Sequence, residues 1–368
     1  MSDRIPVQSL RAAAYVIPTD APEADGTLAW DNTTLVVVHA TAGDQTGTGW
    51  TYCDAAAVPL LTGLLAGTVT GQDVLDVPAI NEAMKRAVRN VGGCGIAAMA
   101  ISAADIALWD LKARLLGTAL STLLGRPGPV AIYGSGGFTS YGGQQLKDQL
   151  SGWVDDLQIP RVKIKIGESW GGNEVRDLQR IEQARSVIGL DAELYVDANG
   201  GYTTLQAAHV AAEMAGFGVT WFEEPVSSDD VTGLASLRAQ VEPDVAAGEY
   251  CWNVTDAARL VSAGAVDCLQ LDVTRCGGIT GFQRAAQLAA THGLEVSGHC
   301  APNLHAHAAA GVSNLRHVEY FHDHQRFEQM LFEGALPPAG GTLTPDPGRP
   351  GMGIELRIAD AAPYLAIG

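Results

Sequence analysis

RVKIK at 161–165 opens a stretch, residues 161–319, in which short apolar runs each end on an ionisable residue. The runs that follow are ELYVD (193–197), VTWFE (219–223), DVAAGE (244–249), CLQLD (268–272), LEVSGH (294–299) and LRHVE (315–319). They end on Lys165, Asp197, Glu223, Glu249, Asp272, His299 and Glu319, at spacings of 20 to 32 residues. A strand, a turn, a helix and a return turn take roughly 30 residues, since eight such units make a barrel of about 250. One ionisable residue therefore recurs per βα unit, at the C-terminal end of each strand. In a parallel barrel those ends converge on one mouth, where catalytic groups collect. An eighth strand is expected near 131–135. Helices are expected between the strands, for example TTLQAAHVAAEMA at 203–215 and ITGFQRAAQLAAT at 279–291. The fold class is thus α/β, a (β/α) barrel whose largely apolar strands are buried.

Outward from the barrel the pattern changes. Residues 1–128 read as an α+β capping domain, 129–320 as the barrel, and 321–368 as a segment that returns to the cap. In the first part, 11–17, 33–41 and 46–52 carry β-branched or aromatic residues bounded by Gly, Asp and Pro, as antiparallel strands do. LVVVHATAGDQTGTGWTY (35–52) reads as a hairpin around AGDQTG. Helical periodicity follows over 72–91 and 99–116, and Gly117 is placed to stop the second helix. LLGRPGPV (123–130) marks the boundary through its Gly and Pro, and PDPGRPGMG (345–353) lies in the Gly- and Pro-rich tail.

The chain has 368 residues, 47% of them hydrophobic, enough for two domains with a large core. The start, MSDRIPVQSLR, lacks a basic region followed by an apolar run, so no signal peptide is expected. No run reaches the ~18 apolar residues of a membrane span. The six cysteines (53, 94, 251, 268, 276 and 300) form no CxxC pair, which suggests reduced thiols and a cytoplasmic protein. A net charge of −18 argues against nucleic acid or an anionic membrane as partner. The same charge repels an anionic substrate, so local cations must reverse the sign at any site that binds one.

Asp197, Glu223 and Glu249 end three successive strands. Carboxylates aimed at one point repel strongly unless a cation neutralises them. Mg²⁺ suits such a set, being hard and oxygen-seeking while keeping positions open for substrate. A single acid at a strand end more often caps the next helix or faces solvent, but three in register make that reading weak. Glu224 must point the other way along the strand or begin the turn, so it is left out of the metal set.

Lys163 and Lys165 are two apart on one strand and share a face. Side by side inside a barrel, two ammonium groups would lower a pKa from ~10.4 towards neutrality, which makes a lysine a base. An exposed edge strand with solvated lysines is the plain alternative. Asp272 and His299 end consecutive strands, close enough to hydrogen-bond. A carboxylate on one ring nitrogen fixes the tautomer and leaves the other for proton transfer; a structural histidine is the alternative. Glu319 either donates a hydrogen bond, if burial raises its pKa, or serves as a salt-bridge partner. Lysine on one side, a His–Asp pair on the other and Mg²⁺ between suit removal of a proton α to a carboxylate.

These motifs resemble the mandelate racemase subgroup of the enolase superfamily, across nearly the whole chain. Enolase-superfamily sites are a general example of a Lys or His base working with Mg²⁺. VKIKIG resembles the family's K-x-K, which implies Lys165 as base and Lys163 as its carboxylate-contacting neighbour. Asp197 in DAN, Glu223 in WFEEP and Glu249 in GEY match the metal ligands. Asp272 and His299 match the dyad, and Glu319 the acid that hydrogen-bonds the substrate carboxylate or enediolate. Asn199 follows the metal Asp by two and is expected to face substrate. The resemblance implies a modified TIM barrel with an α+β N-terminal cap completed by the C-terminal tail. A homo-oligomer acting on a small carboxylate is expected.

The stretches 18–28 (PTDAPEADGTL) and 48–56 (TGWTYCDAA) read as capping loops, with Asp20, Asp25 and Trp50 making a partly polar lid. That favours a sugar acid, dehydrated to a 2-keto-3-deoxy acid. The alternative is racemisation or epimerisation of a 2-hydroxy acid or an amino acid derivative. Two remoter readings remain. GHCAPNLHAHAAAG (298–311) offers His299, His305 and His307 to a zinc hydrolase, although HAH lies in helical sequence after the seventh strand. A non-catalytic binding protein would not need all these positions.

Overall fold

The apolar runs of 161–319 become strands of one closed sheet. The computed structural model describes residues 4–125 and 127–368. Its barrel strands are β4 (Val130–Gly136), β5 (Arg161–Lys165), β6 (Glu193–Asp197), β7 (Val219–Glu223), β8 (Asp244–Ala247), β9 (Cys268–Leu271), β10 (Glu295–Gly298) and β11 (Leu315–Phe321). They pair in parallel in chain order, and β11 returns to β4, so the eight strands close. A two-residue strand, Thr342–Leu343, adds antiparallel to the start of β4. Among the described residues no helix is long and apolar enough to cross a membrane.

The barrel interior is built in layers, because residues two apart on a strand point the same way. Near the N-terminal end, Tyr133, Tyr195, Trp221 and Cys268 form a buried aromatic plug, with His317 against it. Lys163 lies above the Tyr133 ring at 5.4 Å. One step further along, Lys165 pairs in register with Asp197, and Asp197 with Glu223. The alternation that puts Tyr195 and Trp221 into the plug therefore also turns Asp197 and Glu223 inward, at the C-terminal rim.

The cap is an antiparallel sheet of β1 (Ser9–Ala24), β2 (Ala29–Ala42) and β3 (Gln45–Tyr52), with the last strand of the chain, Leu365–Ile367, on the other edge of β1. Helices α1 (Val77–Ala87) and α2 (Ile96–Leu115) cover it. A Cβ at Gly47 would lie 2.2 Å from the Ala107 carbonyl oxygen, so glycine is what lets β3 rest on the Ala-rich α2. The stretch 18–28 is not a loop throughout. β1 runs to Ala24 and β2 starts at Ala29, with a register break between Pro18 and Glu23 and a turn at 25–28. That turn lies on the barrel mouth. A Cβ on Gly26 would come within 2.7 Å of the Ile166 and Ala198 carbonyl oxygens, so only glycine fits there.

Trp50 departs from the expected lid. It is completely buried in β3, where its ring stacks on Phe332 at 4.5 Å and its indole N–H donates to Glu328 at 3.2 Å. Tyr52 donates to the same Glu328 oxygen at 3.2 Å. The helix carrying Glu328, His322–Leu331, thereby ties β3 to the chain just after the barrel's last strand. An aromatic residue mid-strand, with ladder-paired residues before and after it in the chain, joins a core rather than a loop.

Candidate active site

Strand alternation and strand length place each ionisable side chain. Lys163 and Lys165 face the barrel interior, fully or nearly fully buried. Lys165 Nζ lies 2.5 Å from Asp197 Oδ2. Lys163 Nζ contacts Glu223 Oε1, Glu319 Oε1 at 2.7 Å and Asp197 Oδ2 at 3.4 Å. These are neither solvated edge-strand lysines nor a mutually depressed pair. Burial alone would lower both pKa values, but the carboxylates outweigh it and raise them, Glu223 and Glu319 for Lys163 and Asp197 for Lys165. Charge attraction to facing acids exceeds ammonium–ammonium repulsion here.

Glu249 lies two residues past β8, after Gly248 at φ +130°. One oxygen each from Asp197, Glu223 and Glu249 lies within 4.8 Å of the others. Burial pushes Glu223 up to about 8, against the pull of Lys163. Asp197 is held low by Lys165 and Lys163 in spite of its burial. Among the described residues Glu249 Oε2 has no hydrogen-bond partner, and neither has Glu224 Oε1. Glu224 does begin the turn, at φ +37°. It still belongs to the same field, since burial and then Glu249, Asp197 and Glu223 push its pKa up. Converging all-oxygen donors with unsatisfied buried atoms fit a hard divalent cation such as Mg²⁺.

Across the mouth, His299 Nδ1 lies 2.8 Å from Asp272 Oδ2. Its Nε2 lies 3.2 Å from Glu249 Oε2 and 3.8 Å from Glu319 Oε2. Burial would lower the His299 pKa, but Glu249, Glu319 and the Asp272 hydrogen bond raise it. Glu319 takes the salt-bridge alternative: burial opposes ionisation, yet Lys163 and His299 hold its carboxyl well below the usual range. Ser135 Oγ donates to Glu319 Oε1 at 2.5 Å and the Cys300 backbone N–H to Oε2 at 2.9 Å. Asn199, at φ +46°, donates its backbone N–H to Asp197 Oδ1 at 2.8 Å and lines the cavity.

Sequence reasoning passed over Arg275. Its guanidinium reaches Glu249 Oε1 at 3.1 Å and Asp272 Oδ2 at 3.3 Å, and lies 5.1 Å from the Tyr250 ring centre. It links the metal-type acids to the His–Asp pair. The available signal was its place three residues after Asp272, in the turn that leaves β9. Ser135 and Cys300 were also passed over, and small neutral side chains carry no charge pattern to find them by. His305 and His307 lie on the helix Pro302–Ala308, which follows β10. His305 is spent on backbone groups, with Cys300 O at 2.8 Å and Val273 N at 3.0 Å. His307 is buried without a partner among the described residues, and burial lowers its pKa to about 4. Neither lines the cavity, so the zinc-hydrolase grouping with His299 does not form.

The cavity measures about 400 Å³ and is lined by Lys165, Glu249, Asp272 and His299 below and by cap residues above. A cleft of about 460 Å³ beside Cys94 and Trp252 holds none of the converging acids or lysines. Asp25, Trp30, Asn32, Thr33 and Thr34 form the cap side. Asp25 Oδ1 caps its own turn, accepting from Leu28 N at 2.8 Å. Asp20 does not line the cavity; it pairs with His322 at 3.0 Å on the rim.

Glu23 latches this lid. It is 1% exposed and accepts from Trp30 Nε1 at 2.9 Å, with Asp20, His322 and the buried Asp323 beside it. Burial, and then Asp323, raises its pKa to about 10. A carboxyl raised above its unfolded value stabilises fully below that unfolded pKa of about 4.3, and the contribution is lost as pH rises towards the folded value. Glu23→Gln keeps the neutral shape and removes the titration. Its Tm should match wild type near about pH 4 and exceed it by about 2 °C or more near pH 8, roughly 1 kcal/mol. Parallel Tm–pH curves for the two proteins would rule this out.

Residues 145–361 match the enolase C-terminal domain-like family, and residues 23–125 the mandelate racemase / muconate lactonizing enzyme N-terminal domain. The chain is 33% identical over 356 residues to a D-galactarolactone cycloisomerase of Agrobacterium fabrum, covering 92% of this chain and 93% of that one. A mandelate racemase/muconate lactonizing enzyme-like protein of Rubrobacter xylanophilus has the same structure at TM-score 0.94 and 48% identity, covering 98% of this chain and all of that one. An L-talarate/galactarate dehydratase of Salmonella typhimurium, solved with Mg and L-lyxarohydroxamate, aligns at TM-score 0.90 and 26% identity, covering 99% of this chain and 94% of that one.

Proposed function

Because the chain belongs to the mandelate racemase / muconate lactonizing enzyme family, we propose that it is a Mg²⁺-dependent enzyme that removes the proton α to a carboxylate and dehydrates an acid sugar. The observation that carries this reading is that one cavity holds both proton-transfer groups. Lys165 and His299, on β5 and just past β10, both line it, with the carboxylate set between.

Mg²⁺ held by Asp197, Glu223 and Glu249 would supply Lewis-acid neutralisation of the substrate carboxylate. The chain's own groups do the rest. Lys165 takes the α-proton as its free amine; the charge that raises its pKa is that of Asp197, which Mg²⁺ would offset. Lys163, fixed by Glu319, keeps a positive charge beside the oxygens on which negative charge develops. His299, oriented through Nδ1 by Asp272, gives a proton from Nε2 to the β-hydroxyl. The C–O bond breaks, water leaves, and the enol product tautomerises to a 2-keto-3-deoxy acid. Arg275 holds Asp272 and Glu249 at fixed separation. Asn32, Thr33 and Thr34 offer polar partners to a hydroxylated chain, which supports an acid sugar over an apolar acid. Six free cysteines, four of them buried, support a cytoplasmic setting. A homo-oligomer is part of this reading, and sedimentation velocity checks it.

The test is a side-by-side assay of C5 and C6 acid sugars and mandelate, read by 2-keto acid formation. The panel includes D-galactarolactone, the compound named for the relative from Agrobacterium fabrum. A missing hydroxyl leaves a buried partner unpaired, at about 1–3 kcal/mol each, so turnover should concentrate on few acid sugars. Turnover of mandelate with no keto acid from any sugar would leave the racemase reading instead.

A further inference from the structure

The residue after His299 has a backbone that side chains rarely adopt. Cys300 lies at φ +52°. In an ordinary extended backbone, neighbouring side chains point to opposite sides. Here the left-handed residue brings both to one spot: Cys300 Sγ is 3.3 Å from His299 Nε2 and 3.4 Å from Glu319 Oε2. The third edge, His299 Nε2 to Glu319 Oε2, is 3.8 Å. All three residues are at least 95% buried.

These separations have a chemical meaning. Zn–S bonds of about 2.3 Å and Zn–N or Zn–O bonds of about 2.0–2.2 Å, arranged as a tetrahedron, require ligand–ligand edges of about 3.3–3.6 Å. The triangle found here is that size to within a few tenths of an ångström. The supporting partners are also in place. His299 Nδ1 is held by Asp272, which leaves Nε2 as the outward donor, the usual arrangement behind a metal-bound imidazole. Glu319 Oε1 is held by Ser135 and Lys163, while Oε2 accepts the Cys300 backbone N–H at 2.9 Å and keeps its second lone pair for the spot beside the thiol. Glu249 Oε2 lies 3.2 Å from His299 Nε2 but belongs to the Asp197 and Glu223 set, not to this triangle. An oxygen-only set suits Mg²⁺, whereas a thiol and an imidazole select a softer ion.

We propose that His299 Nε2, Cys300 Sγ and Glu319 Oε2 form a second, thiophilic metal site that takes Zn²⁺ and, when filled, withdraws His299 from proton transfer. Binding replaces the thiol proton, which leaves to solvent, and no oxidation or reduction is involved. The cavity is the entry path, since both His299 and Cys300 line it. The blocking half of the proposal rests on the catalytic role given to His299 above; the binding half does not.

The binding half is tested without substrate. Co²⁺ is titrated into Mg²⁺-loaded protein and the thiolate-to-cobalt charge-transfer absorption is followed. One equivalent should bring up the band, Zn²⁺ should displace it, and Cys300→Ser should lack it. Zinc affinity by competition with a chromophoric chelator should fall at least ~100-fold in Cys300→Ser. Cys300→Ala, checked by circular dichroism, serves as a second variant. No band, or a band unchanged in Cys300→Ser, overturns the site. The blocking half is read as zinc inhibition under saturating Mg²⁺, with each variant referred to its own zinc-free rate. Inhibition of wild type that is relieved in both variants supports it. A Cys300-dependent band without inhibition overturns the blockade. Inhibition unchanged in both variants places zinc on the Asp197, Glu223 and Glu249 acids and overturns it too.

Discussion

Lys165→Ala is expected to lower turnover at least ~100-fold and to abolish exchange of the substrate α-proton with solvent deuterium, the scale and signature of losing a general base. Lys165 Nζ is the inward-facing amine nearest the rim, 2.5 Å from Asp197. Lys163 cannot replace it, because Glu223 and Glu319 hold it one layer deeper. His299→Asn should lose at least ~100-fold as well, with a different signature. If His299 serves the leaving hydroxyl, the variant still exchanges the α-proton through Lys165 while making little keto acid. If the reaction is a racemisation, each variant fails to exchange from one enantiomer only. The pair of experiments therefore assigns the reaction as well as the residues. Wild-type rates in either variant, on the true substrate, would refute both roles.

How much of this was legible in the chain depended on repetition. The barrel strands were readable because each buried run ends on one polar residue and the pattern recurs seven times; a single run would have meant little. β6 and β7 cover the residues expected of them, and Asp197 and Glu223 follow from strand alternation alone. What failed was anything decided by facing partners. The direction of the Lys163 pKa shift turned on Glu223 and Glu319, and that of Lys165 on Asp197, all on other strands. Trp50 looked like a lid residue in a Gly-rich stretch, yet those glycines are what let β3 pack on α2 and bury its face. Arg275 lay in a turn, where periodicity carries no signal, and its role appears only once β8 and β9 lie side by side. Cys300 was hidden for a related reason. Its meaning depends on one backbone angle, and no composition or spacing encodes that angle for a non-glycine residue.

Stripping divalent metal with EDTA is expected to remove activity by about 10³-fold or more, the several kcal/mol that a bound cation contributes to a developing carboxylate charge, and Mg²⁺ should restore it. Glu249→Gln should show the same loss and should not recover at high Mg²⁺. The fold should survive this substitution. Glu249 contributes to the fields that raise Glu224 and His299, and the amide oxygen can keep the Arg275 contact at 3.1 Å. Removing one charge from a set of buried acids relieves repulsion while leaving the shape unchanged. Metal-free Glu249→Gln should therefore melt no lower than metal-free wild type, whereas added Mg²⁺ should raise the Tm of wild type alone, since only a protein that binds the ion is stabilised by it. Opposite signs for activity and stability separate a ligand from a structural acid: a residue needed for folding would lose both. Full turnover in EDTA-treated protein shown free of metal would sink the metal assignment. A strongly lowered Tm in Glu249→Gln would make this carboxylate part of the scaffold.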